Sequence, residues 1–221
     1  FTILLRSQFD QTVVFQFSEG NHSRLRPGDI KYRDLNGDGV IDDYDKMPVG
    51  FCDIPEITYG FGGAIEWKGF DVSIFFQGTA RVSIFEEGSA VVPFSSGYKN
   101  NNGFLKGVME DRWTVDNPNP NARYPRTIRP SDALDNNNTK KSSFWVRNAA
   151  YLRLKNAEIG YTFPKRWMEK MAIQNLRLYV SGVNLLTWAP DVHLFDPELG
   201  SGDGRKYPPT RVFNVGLNIN F

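Results

Sequence analysis

The sequence predicts an all-β fold: an antiparallel transmembrane β-barrel fragment of about six strands with long extracellular loops. Three observations lead there. First, in the closing stretch Phe213, Val215, Leu217, Ile219 and Phe221 fall on one face of a strand, and Asn214, Gly216, Asn218 and Asn220 on the other, because side chains alternate with period two. A half-buried soluble strand can alternate too, but an apolar-out, polar-in strand ending on an aromatic is what a barrel wall needs. Second, short connectors (near 68 and over 164–174) alternate strictly with long ones (18–56, 79–142 and 189–209), as turns on one side of a bilayer and loops on the other would. Third, no run of about 18 apolar residues exists. A mean hydropathy of −0.42 is uninformative here, since barrel strands turn only half their residues to lipid.

The elements follow in order. A first apolar block covers residues 9–17, and a polar stretch rich in Gly and Asp runs to Pro55. Tyr59, Phe61, Ile65 and Trp67 then alternate with Thr58, Gly60, Gly62, Ala64 and Glu66. Lys68 and Gly69 form a two-residue hairpin turn. The next strand puts Phe70, Val72, Ile74 and Phe76 on one face and Asp71, Ser73 and Gln77 on the other, with Phe75 breaking the rule. The long stretch 79–142, rich in Asn, Pro, Gly and Ser, includes a short helix expected near 110–113. Loops of this length usually serve function. A strand is expected over 144–163, ended by Pro164, and another over 175–188, with Asn184 the exception on its apolar face. The last begins after a Pro/Gly/Asp loop at 189–209.

With the end of the chain on the short-turn side, six strands zigzag without reversal. Trp67, Phe163 and Trp167 then lie at one bilayer interface and Trp188 and Tyr207 at the other, as paired aromatic belts. One feature strains the scheme. Arg153 and Lys155 share parity with Ile159 and Phe163, and charges at mid-membrane cost about 2–4 kcal/mol each. Either Lys155 reaches the outer rim, or a bulge switches the faces.

Composition narrows the function. Lys and Arg number 26 and Asp and Glu 25, a net charge of +1, which gives no steering field for nucleic acid. The single cysteine, Cys52, excludes an internal disulfide, and no Cys/His cluster suggests zinc. The chain opens without Met, basic region or cleavage site, so it reads as a piece whose start lies elsewhere.

Residues 34–45 match the twelve-residue calcium loop. Asp34, Asn36 and Asp38 stand at positions 1, 3 and 5, Gly39 makes the turn at 6, Val40 offers its carbonyl at 7 and Asp45 takes position 12. A hard cation wants six to eight oxygens, and alternate side chains around a tight turn supply them. Asp45 in place of Glu is shorter, and Pro27 and Pro48 bracket the loop where helices would flank it. The expected metal ligands are therefore Asp34, Asn36, Asp38, Val40 and Asp45, and the expected cofactor is Ca²⁺ in a structural role. An Asx-turn-rich loop held by its own hydrogen bonds is the alternative.

No catalytic residues are expected. His22 and His193 stand far apart with no nucleophile elbow nearby, and the paired carboxylates Glu86 with Glu87 and Asp196 with Glu198 are sequence neighbours, rarely a glycosidase pair. The glycines at 200–204 lack the strand-to-helix context of a phosphate cradle. Phe94, Tyr98, Trp113 and Tyr124 could stack on a ligand or pack their loop; the residues leave both open.

Several segments together resemble one family. PGDIKYRDLNGDGVID at 27–42, KGFDVSIFFQG at 68–78, AYLRLKNAEIGYTFP at 150–164, VSGVNLLTW at 180–188 and DPE at 196–198 are similar to the C-terminal part of SusC/RagA-type TonB-dependent outer-membrane transporters. The resemblance runs from about residue 27 to the end. It implies that residues 1–221 belong to the barrel domain of a 22-stranded barrel whose plug domain is not in this chain. It implies active uptake of a glycan or oligopeptide across the bacterial outer membrane. The partners it implies are outer-membrane lipid, a SusD-like lipoprotein, and TonB through the part of the protein not in this chain, and it is compatible with a dimer of transporter–lipoprotein pairs. The rival is a secreted, calcium-stabilised β-sandwich that binds carbohydrate, in which the apolar strand faces would meet in a core.

Overall fold

The computed structural model describes residues 26–88, 90–92, 105–127, 137–168, 173–202 and 204–221. The chain forms two compact units. One is a five-stranded antiparallel sheet of β1 (Ile57–Trp67), β2 (Phe70–Ala80), β5 (Tyr151–Thr162), β6 (Asn175–Trp188) and β7 (Val212–Asn220), paired in the order β1-β2-β5-β6-β7. The other gathers the long loops. It holds the two-stranded sheet of β3 (Ser83–Phe85) and β4 (Val146–Asn148), and the short helix α1 (Lys106–Glu110). The strand expected over 9–17 lies outside the described residues, so five of the six expected strands are seen.

The sheet sorts its faces as the period-two pattern predicts. Trp67 pairs with Phe70, Phe70 with Tyr161, Tyr161 with Leu178 and Leu178 with Leu217. Ile65, Val72, Ile159, Val180 and Val215 form a second apolar row by the same pairing. Tyr161 is half-buried and the others are exposed, Ile65 and Val215 each to 75%. Fully burying one such side chain is worth about 1.5–3 kcal/mol, so a continuous exposed band calls for an apolar surrounding. The β-sandwich rival would require this band to be covered. Strands of 11 residues in β1 and β2 suit a tilted crossing of a bilayer.

The turn at Lys68 (φ 49°) and Gly69 (φ 90°) has both residues left-handed, as a type I′ hairpin requires. Phe75, on the polar face, lies over two bare glycines: a β-carbon on Gly60 would come within 2.9 Å of its Cζ, and one on Gly62 within 3.1 Å of its Cδ2. Tyr179 lies over Gly216 in the same way. The sequence exception is therefore a ring laid flat.

The charge problem in β5 is solved by a bulge. Phe75 pairs with Asn156 and Phe76 with Leu154, while on the other flank Asn156 pairs with Val183 and Leu154 with Leu186. Lys155 is the extra residue, with no partner in either ladder. Below it Ala157, Ile159 and Tyr161 face the apolar side; above it Leu152 and Leu154 do, and Arg153 turns to the polar face. There Arg153 is 1% exposed, its guanidinium 5.2 Å over the Tyr151 ring. On β6, Asn184 takes φ 55° at the same level and donates to the Thr210 carbonyl at 3.0 Å.

Two expectations need correction. The strand predicted over 144–163 is broken: Ser143–Trp145 is a 3₁₀ turn and Val146–Asn148 pairs with Ser83–Phe85 in the two-stranded sheet. Arg147 causes this by meeting buried Glu86 at 2.9 Å and the Phe144 carbonyl at 2.6 Å. The helix expected near 110–113 ends at Glu110, because Trp113 instead donates its amide to the Tyr124 carbonyl at 2.9 Å.

Candidate functional site

The calcium-like loop closes on Asp45, which is 1% exposed. Its Oδ1 accepts from Leu35 N at 2.7 Å and its Oδ2 from Asp42 N at 2.8 Å. Burial opposes the ionised form, but the amides of Asp42, Leu35 and Asn36 outweigh it and hold the carboxyl below the usual carboxylate range. Asp34 accepts from Gly37 N at 2.6 Å and Gly39 N at 2.7 Å, Asn36 from Asp38 N at 3.0 Å, and Asp38 from Val40 N at 2.8 Å. All five expected ligands thus lie in one loop laced by Asx turns. A carboxylate oxygen bonded to one amide keeps a second lone pair, so the donor set still suits a hard cation. Among the described residues no group of three or more His, Cys, Asp or Glu forms a ready-made metal cluster.

Beside this loop the long connectors build a core of their own. Ile30, Tyr32, Ile41, Val91, Val108, Tyr124 and Trp145 pack together, joined by Phe85, Leu105 and Phe144. Trp113 and Tyr124 are 6% and 1% exposed, so they pack the loop and offer no ring to a ligand; Phe94 and Tyr98 lie outside the described residues. Gly28 (φ 90°) sits under the Trp113 ring, where any β-carbon would strike it. Gly28→Ala is expected to cost about 2 kcal/mol or more, from the left-handed backbone and the displaced ring, read as faster proteolysis of the loops.

Several polar groups inside this core are paired. Arg126 clamps Asp29 with Nε at 2.5 Å and a second nitrogen at 2.8 Å. Asn138 donates to Asp29 Oδ1 at 2.8 Å and to the Arg126 carbonyl at 3.2 Å, and accepts from Ile30 N at 2.8 Å. Tyr124 approaches Glu86 at 3.5 Å; burial and that carboxylate push its hydroxyl up to about 12. A cavity of about 420 Å³ is lined by Phe51, Ile84, Phe85 and Val146, with Lys141 and Glu87 paired at 3.0 Å on its wall.

On the polar face of the sheet, Arg177 on β6 reaches across β5 to Asp71 on β2, with Nε 3.0 Å from Oδ1, and to Glu158 at 2.6 Å. A β-carbon on Gly160 would stand 2.6 Å from both the guanidinium and Asp71 Oδ1, so bare glycine lets the bridge cross. Periodicity could not find this; it comes from register alone. Of the other candidates, Asp196 caps the 3₁₀ turn Pro197–Leu199 through Glu198 N at 3.0 Å, His193 is exposed, and His22 lies outside the described residues. The structure brings no nucleophile and base together among the described residues named as candidates.

No family model matches the sequence. The chain is 32% identical over 208 residues to TonB-dependent receptor P26 of Formosa agariphila, covering 88% of this chain and 20% of that protein. It is 24% identical over 208 residues to TonB-dependent receptor SusC of Bacteroides thetaiotaomicron, covering 89% of this chain and 18% of that protein. Among solved structures, the RagAB peptide importer in its closed-closed state aligns with a TM-score of 0.63 at 22% identity, over 85% of this chain and 20% of that one. The chain spans about a fifth of the length of the curated relatives it matches.

Proposed function

We propose that the chain, similar to TonB-dependent receptors in sequence and to the RagAB importer in fold, is a segment of a SusC/RagA-type TonB-dependent receptor and forms part of the wall of an active importer in the bacterial outer membrane. The sheet supplies the barrel wall, and the long connectors between its strands fold into a unit of their own. The cargo is a bulky nutrient, glycan or oligopeptide; a SusD-like lipoprotein covers the entrance, and TonB acts through regions outside this segment. The observation that carries the reading is the sheet with one exposed apolar face and one polar face cross-braced by Arg177.

The test is a pair of neighbouring substitutions in the full-length protein. Val180→Arg puts a charge on the apolar face and is expected to cost about 2–4 kcal/mol near mid-bilayer. Ser181→Arg, one residue on but facing the polar side, is expected to cost far less. Heat-modifiable gel mobility in detergent reads both. Equal effects, or a native protein that stays soluble without detergent, would reject the membrane reading.

We also infer that residues 34–45 hold a structural Ca²⁺ through Asp34, Asn36, Asp38 and Asp45 side chains and the Val40 carbonyl. The spacing and the inward Asp45 carboxylate support this. When bound, the ion would offset two of the three carboxylate charges and stiffen the loop. Ligand that binds only the folded state raises stability, so Ca²⁺ in place of a chelator is expected to raise the melting temperature by a few degrees. Asp38→Ala is expected to abolish that rise.

A further inference from the structure

At the short-turn end of the sheet the apolar band ends in a run of rings and unpaired cations. Phe70 meets Tyr161 in a tilted pair at 4.6 Å, Tyr161 meets Phe163 at 5.0 Å, and Phe163 meets Trp167 at 6.2 Å. Lys68 stands 4.8 Å over Trp67. The connectors that carry these residues are adjacent, because the Gly69 carbonyl accepts from Thr162 N at 2.7 Å. Lys165 and Arg166 open α2 (Lys165–Met168), which presents Trp167. Trp67 and Trp167 are 66% and 54% exposed, and Lys68, Lys165 and Arg166 are exposed too.

Among the described residues, the nearby carboxylates do not neutralise this rim. Asp71 and Glu158 are engaged by Arg177 on the polar face. Glu66, one residue before Trp67, faces the polar side by alternation. Three cations are thus left beside the aromatic edge of the apolar band. Amphipathic rings settle at headgroup depth, and cations beside an apolar surface attract anionic lipid.

We propose that Lys68, Lys165 and Arg166, with Trp67 and Trp167, form a docking site for an anionic phospholipid headgroup in the leaflet that the short turns face. The cations meet the phosphate while the indoles lie along the glycerol and upper acyl region. This rests on the membrane reading above. The experiment uses full-length protein in nanodiscs of phosphatidylcholine containing a minority of phosphatidylglycerol, with retained lipid counted by native mass spectrometry. Wild type is expected to retain phosphatidylglycerol in preference. The variant Lys68→Asn, Lys165→Gln, Arg166→Gln is expected to lose that preference by roughly a hundredfold, at about a factor of five per cation. Asn before Gly69 suits the left-handed turn, and heat-modifiable mobility reports that the variant barrel is folded. Inorganic phosphate at millimolar concentration is expected not to displace the lipid; displacement would mean a free-phosphate site and overturn the proposal. A folded variant with unchanged preference, or a wild type with none, would also overturn it, while a protein that never enters the nanodisc would reject the membrane reading.

Discussion

Inserting one alanine between Ala157 and Glu158 in the full-length protein is expected to abolish assembly, leaving no heat-modifiable species in detergent. The bulge at Lys155 already absorbs the one parity change that β5 carries. Leu154 and Asn156 take consecutive places against Phe76 and Phe75, so Leu152 and Leu154 above the bulge share one face with Ala157, Ile159 and Tyr161 below it. A further residue breaks that agreement, because a one-residue slip moves a strand's whole set of side chains to the other face. Glu158, which Arg177 engages on the polar face, would pass to the lipid side, at a cost on the order of 2 kcal/mol near mid-bilayer and less toward the rim. Ile159 and Tyr161 would leave the apolar face, each forfeiting about 1.5–3 kcal/mol. The sum is on the order of 5 kcal/mol, comparable with the whole stability of many domains. Lys155→Gln keeps the bulge and is expected to assemble normally. Normal assembly of the insertion would show that β5 can take up a second bulge.

The second large effect is expected at Asn138. Its side chain serves the Ile30 amide, the Asp29 carboxylate and the Arg126 carbonyl at once, and its own carbonyl takes the Trp145 indole at 3.1 Å. Asn138→Ala leaves three buried polar groups without that partner, at about 1–3 kcal/mol each, although water entering the gap recovers part. A net loss of about 3–5 kcal/mol in the loop unit is expected. Hydrogen exchange at the Ile30 amide would accelerate and the loops would open to protease, while the sheet, a separate unit, keeps its gel mobility. Protection at Ile30 equal to wild type would refute the hub role.

What the sequence made legible and what it hid divide along physical lines. β1, β2, β6 and β7 could be read because each keeps one face almost uniformly apolar, and that pattern is local. The Lys68–Gly69 turn was legible because two-residue hairpins demand left-handed residues. The break before β5 was not, since Phe144, Trp145 and Val146 make an apolar run that reads like the start of a strand, while Arg147 is drawn to Glu86. The loop core was also hidden. Asn138 and Ile30 lie 108 positions apart, and no local pattern announces such a pairing. For residues 34–45 the spacing was plain, but carboxylate oxygens serve amides and cations alike, so spacing fits both the Asx-turn network observed and the Ca²⁺ site proposed.

The rings of Phe75 and Tyr179, pressed onto bare Gly62 and Gly216, bear on clearance. Upright, each would project several ångströms from the wall; lying down, each leaves a shallow surface with few footholds. On the importer reading, the bore bordered by this segment is therefore wider than its aromatic content suggests, and a methyl group added at either glycine would tip a ring into the path of the cargo.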